Sequence, residues 1–65
     1  MPTLTPKQRR TTLLKLMRDH DLDTEDVAAL TFHARRTVQA WVRGTRNVRE
    51  ATLALLMTAI GRRAA

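Results

Sequence analysis

Residues Glu25–Gly44 read EDVAALTFHARRTVQAWVRG, two short helical stretches with a turn between them. In the second stretch Val38 and Trp41 fall on one side of a helix. Arg35, Arg36, Gln39 and Arg43 fall on the other. A helix divided in this way packs by its apolar stripe and offers its opposite face to solvent. Arginine and glutamine are side chains that make paired hydrogen bonds to base edges in a major groove. The pattern therefore points to a helix that reads DNA.

The neighbouring segments read as helices too. Asp23 or Thr24 can cap the first stretch, and Glu25 and Asp26 lie in its first turn, where the helix dipole favours acids. Val27, Leu30 and Thr31 face inward, and Ala28 and Ala29 are small enough for another helix to approach. The second stretch runs from about Ala34 to Val42, and Gly44 ends it as a residue free to take positive φ. Thr45–Asn47 is a basic loop. Upstream, Thr5 caps a helix with Pro6 in its first turn and Gln8 completing a capping box. Leu13, Leu16, Met17 and His20 form its stripe, and Asp21–Asp23 is a turn. Downstream, Asn47 and Glu50 stand in capping-box spacing at the start of a last helix that runs to about Ile60, before Gly61. Arg62–Ala65 is expected to fray.

That last helix carries two apolar stripes where a surface helix needs one. Leu53, Leu56, Met57 and Ile60 form the first; Val48, Thr52, Leu55 and Ala59 form the second. Either the N-terminal helix and arm cover the second stripe, or it meets its copy in a homodimer. No run alternates with a period of two. The expectation is an all-α chain, a compact bundle of four to five short helices. It forms one domain over residues 1–65 with an ordered core of about 5–60.

Composition narrows the function. A chain of 65 residues holds one small core, and the absence of cysteine excludes disulfides and thiolate metal sites. No apolar run approaches the ~20 residues that span a bilayer. Met1–Thr12 lacks the apolar segment of a signal peptide, so a cytoplasmic location is expected. The net charge is +6, unevenly spread. Lys7, Arg9, Arg10, Lys15 and Arg18 precede an acidic block of Asp19, Asp21, Asp23, Glu25 and Asp26; seven arginines follow, opposed by Glu50 alone. An acidic block between basic ones suggests a face held away from a polyanion, although capping explains much of it. Arg9-Arg10 reads equally as a further DNA contact or as a solvated face.

Other chemistries find little support. No nucleophile stands with a base and an orienting group, and there is no glycine-rich phosphate loop, so no catalysis, cofactor or small-molecule ligand is expected. His20 and His33, without cysteine or a facing carboxylate pair, make a poor metal site; His33 suits a cap or a phosphate contact. Trp41 and Phe32, the only two aromatics, are expected in the core, which leaves none to stack on single-stranded RNA. A protein-interaction or antitoxin-like module working through the last helix, or a DNA-bending accessory resembling an excisionase, is the alternative.

From Val27-Ala28 through Gly44 the chain resembles the Cro/CI-type helix-turn-helix repressors of phages and bacteria. The residues that carry the resemblance are Val27 and Ala28, Thr37-Val38, Trp41, and the run Gly44-Thr45-Arg46-Asn47. The helix ATLALLMTAI looks like the family's leucine-rich fourth helix. Roughly residues 7–60 are covered. The family's turn glycine and the aliphatic residue after it are replaced by Phe32 and His33. Either Phe32 fills the core position one residue early, or the turn is rebuilt. Val48 stands where the family has proline.

The resemblance implies a lambda-repressor-like fold whose third helix enters the major groove of double-stranded DNA. Arg35, Arg36 and Gln39 would then read bases. Thr37, Arg43, Arg46, Asn47 and Arg49 would meet phosphates, as would Thr24 at its helix N-terminus. The implied protein is a transcriptional regulator, a repressor before an activator, bound as a homodimer to an inverted repeat.

Overall fold

The computed structural model describes residues 4–64. All regular structure among them is helical: α1 (Pro6–Asp19), α2 (Thr24–Thr31), α3 (Arg35–Arg43) and α4 (Glu50–Ala64). The radius of gyration is 10.9 Å, close to the roughly 10.7 Å expected of a compact chain of this length.

Local chemistry sets the starts of α1 and α2. Thr5 Oγ1 accepts from the Gln8 amide at 3.1 Å, and Gln8 Oε1 accepts from the Thr5 amide at 2.9 Å. Asp23 and Asp26 exchange the same pair of bonds at 2.8 and 3.1 Å, so Asp23 is the cap of α2 and Thr24 its first residue. Both capping boxes satisfy amides that a helix start otherwise leaves open.

The core lies where α2 and α3 cross over α1 and α4. It is formed by Leu13, Leu22, Val27, Ala28, Val38, Trp41, Val48, Leu53, Leu56 and Ile60, with Leu16, Met17, Leu30 and Val42 packed against it. Ala28 of α2 and Val38 of α3 are both buried. Thr31 is buried as well, its hydroxyl donating to the Val27 carbonyl at 2.7 Å. Leu22 has no part in the sequence reading, yet it is core. Asp21 takes positive φ, and the Leu22 amide donates to the Met17 carbonyl at 2.8 Å, which turns the side chain inward. His20, assigned to the α1 stripe, is exposed at the helix end.

Three expectations about the C-terminal half are corrected. The last helix begins at Glu50 rather than near Asn47, because Val48 is pulled into the core and holds Asn47–Arg49 out of helix. Glu50 therefore makes no box with Asn47; its carboxylate accepts from the Leu4 amide at 2.7 Å. Gly61 does not end the helix. Its φ is not positive and α4 continues to Ala64. Glycine costs a helix roughly 1 kcal/mol, here offset by buried Ile60 before it and by Arg62 and Arg63 at the negative end of the dipole. Finally, the two stripes of α4 are redistributed. Leu53, Leu56 and Ile60 are buried, but Met57 is 46% exposed. Of the second stripe Val48 is only 2% exposed, so it is core and no part of an outer surface.

Among the described residues no helix is long and apolar enough to cross a membrane.

Candidate nucleic-acid interface

The α2–α3 connection decides how α3 is presented. Phe32 ends α2 in the left-handed region (φ 58°, ψ 38°), the conformation a glycine would supply, and its side chain is 85% exposed. The expectation of a core Phe32 is therefore corrected: the turn is rebuilt. A left-handed residue reverses the chain direction and turns its Cβ away from the packed side. His33, itself exposed, meets Trp41 instead. Its ring lies edge-on to Trp41 with centroids 4.9 Å apart. Its Nδ1 sits 2.7 Å from the Thr31 carbonyl, a contact satisfied with the ring proton on Nδ1.

Seated this way, α3 buries Val38 and Trp41 and exposes Arg35, Arg36 and Arg43, with Gln39 half-exposed on the same face. Ala34 provides no side-chain cap. Unlike the starts of α1 and α2, this one keeps its leading amides free of a capping side chain, which suits an anionic group.

The C-terminus of α3 closes at Gly44, as the sequence predicts, and is held by a second contact, from Arg10, that the sequence reading lacks. Gly44 takes φ 85°, and its amide donates to the Ala40 and Trp41 carbonyls at 3.0 and 3.2 Å. Arg10 of α1 reaches across and donates from Nε and Nη2 to the Val42 carbonyl, at 3.0 and 2.8 Å. A cation at this end also opposes the negative pole of the helix. Arg9 turns to the N-terminal arm, donating from Nη1 to the Leu4 carbonyl at 3.0 Å and lying 3.9 Å from Glu50. Both arginines are hydrogen-bonded to carbonyls of the fold.

Two open troughs flank α3. One, of about 610 Å³, is lined by Arg36, Thr37, Ala40, Thr45 and Arg46. The other, of about 690 Å³, brings His33 and Thr37 together with Arg46, Asn47, Arg49 and Thr52. Arg46 and Thr37 border both. The fold thus gathers Arg36, Thr37, Arg46, Asn47, Arg49 and His33 from α3, the turn and the following loop into one basic surface. Arg35, Gln39 and Arg43 line neither trough but share the exposed face of α3. Thr24 stands apart, half-buried in the acidic first turn of α2.

The acidic block is not simply a rear face. Glu25 Oε1 accepts from Arg35 Nη1 at 3.3 Å, which ties the start of α2 to the start of α3. Both side chains are more than half exposed, so the pair orients Arg35 more than it stabilises the fold. Among the described residues no three histidine, cysteine or acidic side chains converge on a point that would hold a metal ion. Comparison with family models, with curated proteins and with solved structures finds no match to this chain.

Proposed function

We propose that this chain is a sequence-specific double-stranded DNA-binding regulator. In this reading α2 and α3 form a helix-turn-helix, with α3 as the helix that enters the major groove. One observation carries the reading: α3 is anchored by buried Val38 and Trp41, and its other side presents Arg35, Arg36, Gln39 and Arg43 beside Arg46, Asn47 and Arg49. A helix held rigidly by its back, with hydrogen-bonding forks on its front, suits reading base edges. The arginines and Asn47 at its flanks suit phosphates, which position a protein without informing it of sequence.

Arg35 and Arg36 then read guanine and Gln39 reads adenine, each bidentate contact worth ~1–3 kcal/mol of discrimination. Two copies on an inverted repeat place their third helices ~34 Å apart in successive major grooves. Bound at a promoter, such a pair represses by obstructing polymerase.

Selection of bound duplexes from a random DNA pool tests the reading. An enriched inverted repeat supports both base reading and paired binding. A single enriched half-site keeps the reader and removes the symmetric pair. Binding without enrichment reduces the arginines to phosphate contacts and refutes sequence-specific regulation.

A further inference from the structure

The start of α2 carries three acids with different partners. Asp23 and Asp26 close the capping box, each carboxylate accepting from the other residue's amide. Glu25 takes no part in that box and turns to α3, with Oε1 3.3 Å from Arg35 Nη1. Elsewhere Asp19 lies 3.7 Å from Arg18, and Glu50 meets Leu4 and Arg9. Among the described residues Glu25 is therefore the one carboxylate paired with an arginine of the exposed face of α3. Arg36, Arg43, Arg46 and Arg49 make no ion pair there.

An acid beside a surface that meets a polyanion lowers its affinity, because it repels phosphates on every duplex alike. Its contact with Arg35 gives this acid a use. Arg35 is the first residue of α3, at the positive pole of a helix whose leading amides have no side-chain cap. The helix itself disfavours a cation there. An arginine stem is long and flexible, and its fork accepts a phosphate as well as a guanine edge. Glu25 holds one corner of that fork from the α2 side, while 59% of the Arg35 side chain stays open to solvent.

We infer that Glu25 determines specificity through Arg35: its carboxylate positions the guanidinium for a base edge and keeps it off the phosphates. This rests on the DNA-binding reading, in which Arg35 meets guanine. On a matched site the guanine edge takes the fork in the place where Glu25 holds it. On a duplex with another base pair at that position, Arg35 gains only by moving to a phosphate. The move gives up Glu25, whose charge then repels the same phosphate. Glu25 thus weakens binding to wrong sequences more than to the right one. Both groups are largely exposed, so the tether is weak and the bias is about two- to fivefold. It reads as a change in discrimination, not as a loss of binding.

The test uses Glu25→Gln, which keeps the shape and removes the charge. The Asp23–Asp26 box is untouched, so the variant should fold. Affinities of the full chain are measured across a range of salt on three duplexes: the selected site, the site changed at the one base pair where Arg35→Ala loses preference, and an unrelated sequence. Glu25→Gln should lower discrimination at that base pair about two- to fivefold and leave it unchanged at the base pair read by Arg36. On the unrelated duplex the salt slope should steepen by about one unit, for the phosphate that Arg35 gains. In an Arg35→Ala background Glu25→Gln should change no discrimination ratio, since the partner through which it acts is gone.

A Glu25→Gln that tightens all three duplexes by one factor would make Glu25 a general repulsive charge and overturn the inference. A loss of discrimination that persists in the Arg35→Ala background overturns it too. An Arg35→Ala that keeps every base preference, while Arg36→Ala loses one, also overturns it and leaves the DNA reading standing. A wild type without preference among any duplexes refutes the DNA reading itself, and the role of Glu25 falls with it.

Discussion

Replacing Phe32 by glycine should leave the fold almost as stable as before, whereas truncation of a packed phenylalanine costs ~3–5 kcal/mol. The structure supplies each contribution. With 85% of its surface exposed, Phe32 keeps only about 30 Å² of a ~200 Å² aromatic side chain from water, a loss on truncation of ~0.7 kcal/mol. Glycine removes the left-handed penalty of ~1–2 kcal/mol and adds ~0.5–1 kcal/mol of backbone entropy cost. The balance lies within ~1 kcal/mol of zero. Phe32→Ala isolates the backbone contribution, because alanine loses the same contacts but keeps the left-handed penalty. Phe32→Gly should therefore exceed Phe32→Ala by ~0.5–1 kcal/mol, or roughly 2–8 °C in Tm for a domain of this size. Urea unfolding followed by circular dichroism, at low micromolar protein to keep pairing out of the measurement, reads the difference. A glycine variant weakened by more than ~2 kcal/mol would show that the ring is packed. An alanine variant as stable as the glycine variant would show that residue 32 is not left-handed.

Other perturbations separate core, scaffold and surface. Val48→Ala should cost about 2 kcal/mol, while Leu55→Glu, at a half-exposed position, should cost less than about 1 kcal/mol and leave a folded monomer; equal losses in chemical denaturation would contradict the division of the second stripe. Arg10→Ala removes both bonds to the Val42 carbonyl and should lower stability by about 1 kcal/mol. Its base preference should stay that of the wild type, and a changed preference in duplex selection would make Arg10 a reader. Arg36→Ala should relax preference at one base pair by ~1–3 kcal/mol. Arg46→Ala should weaken all duplexes alike and lower the salt slope by about one unit. Salt titrations on matched and mismatched duplexes distinguish the two, and an Arg36→Ala with unaltered preference would mean that α3 does not sit in the groove as described.

Much of this architecture was legible in the chain because it is local. The box Thr5–Gln8 joins residues three apart, Asp23 is one of the two caps the sequence offers for α2, and helical periodicity places Val38 and Trp41 opposite Arg35, Arg36, Gln39 and Arg43. The left-handed Gly44 follows from its own lack of a Cβ. Such features depend on bonds within one turn and survive any arrangement of the helices around them.

The features that escaped are those a helix crossing decides. The spacing of Asn47 and Glu50 is right for a box, but with Val48 buried residues 47–49 stay out of helix and Glu50 bonds to Leu4 instead. Arg10 looks like a solvated cation until α1 is laid beside the end of α3, 32 residues away in sequence. Glu25 looks like a helix-dipole acid until α3 brings Arg35 within 3.3 Å. Phe32 is a core residue by hydrophobicity and an outward one by backbone conformation. Trp41 is buried under the turn with the exposed His33 ring edge-on to it, and the left-handed residue that makes the turn is left 85% exposed. The chain alone determined which helices form and which side of each is apolar, because periodicity and capping are properties of neighbours. Only the tertiary structure decided which apolar groups are covered and where each arginine ends, because burial and ion pairing depend on distances between segments remote in sequence.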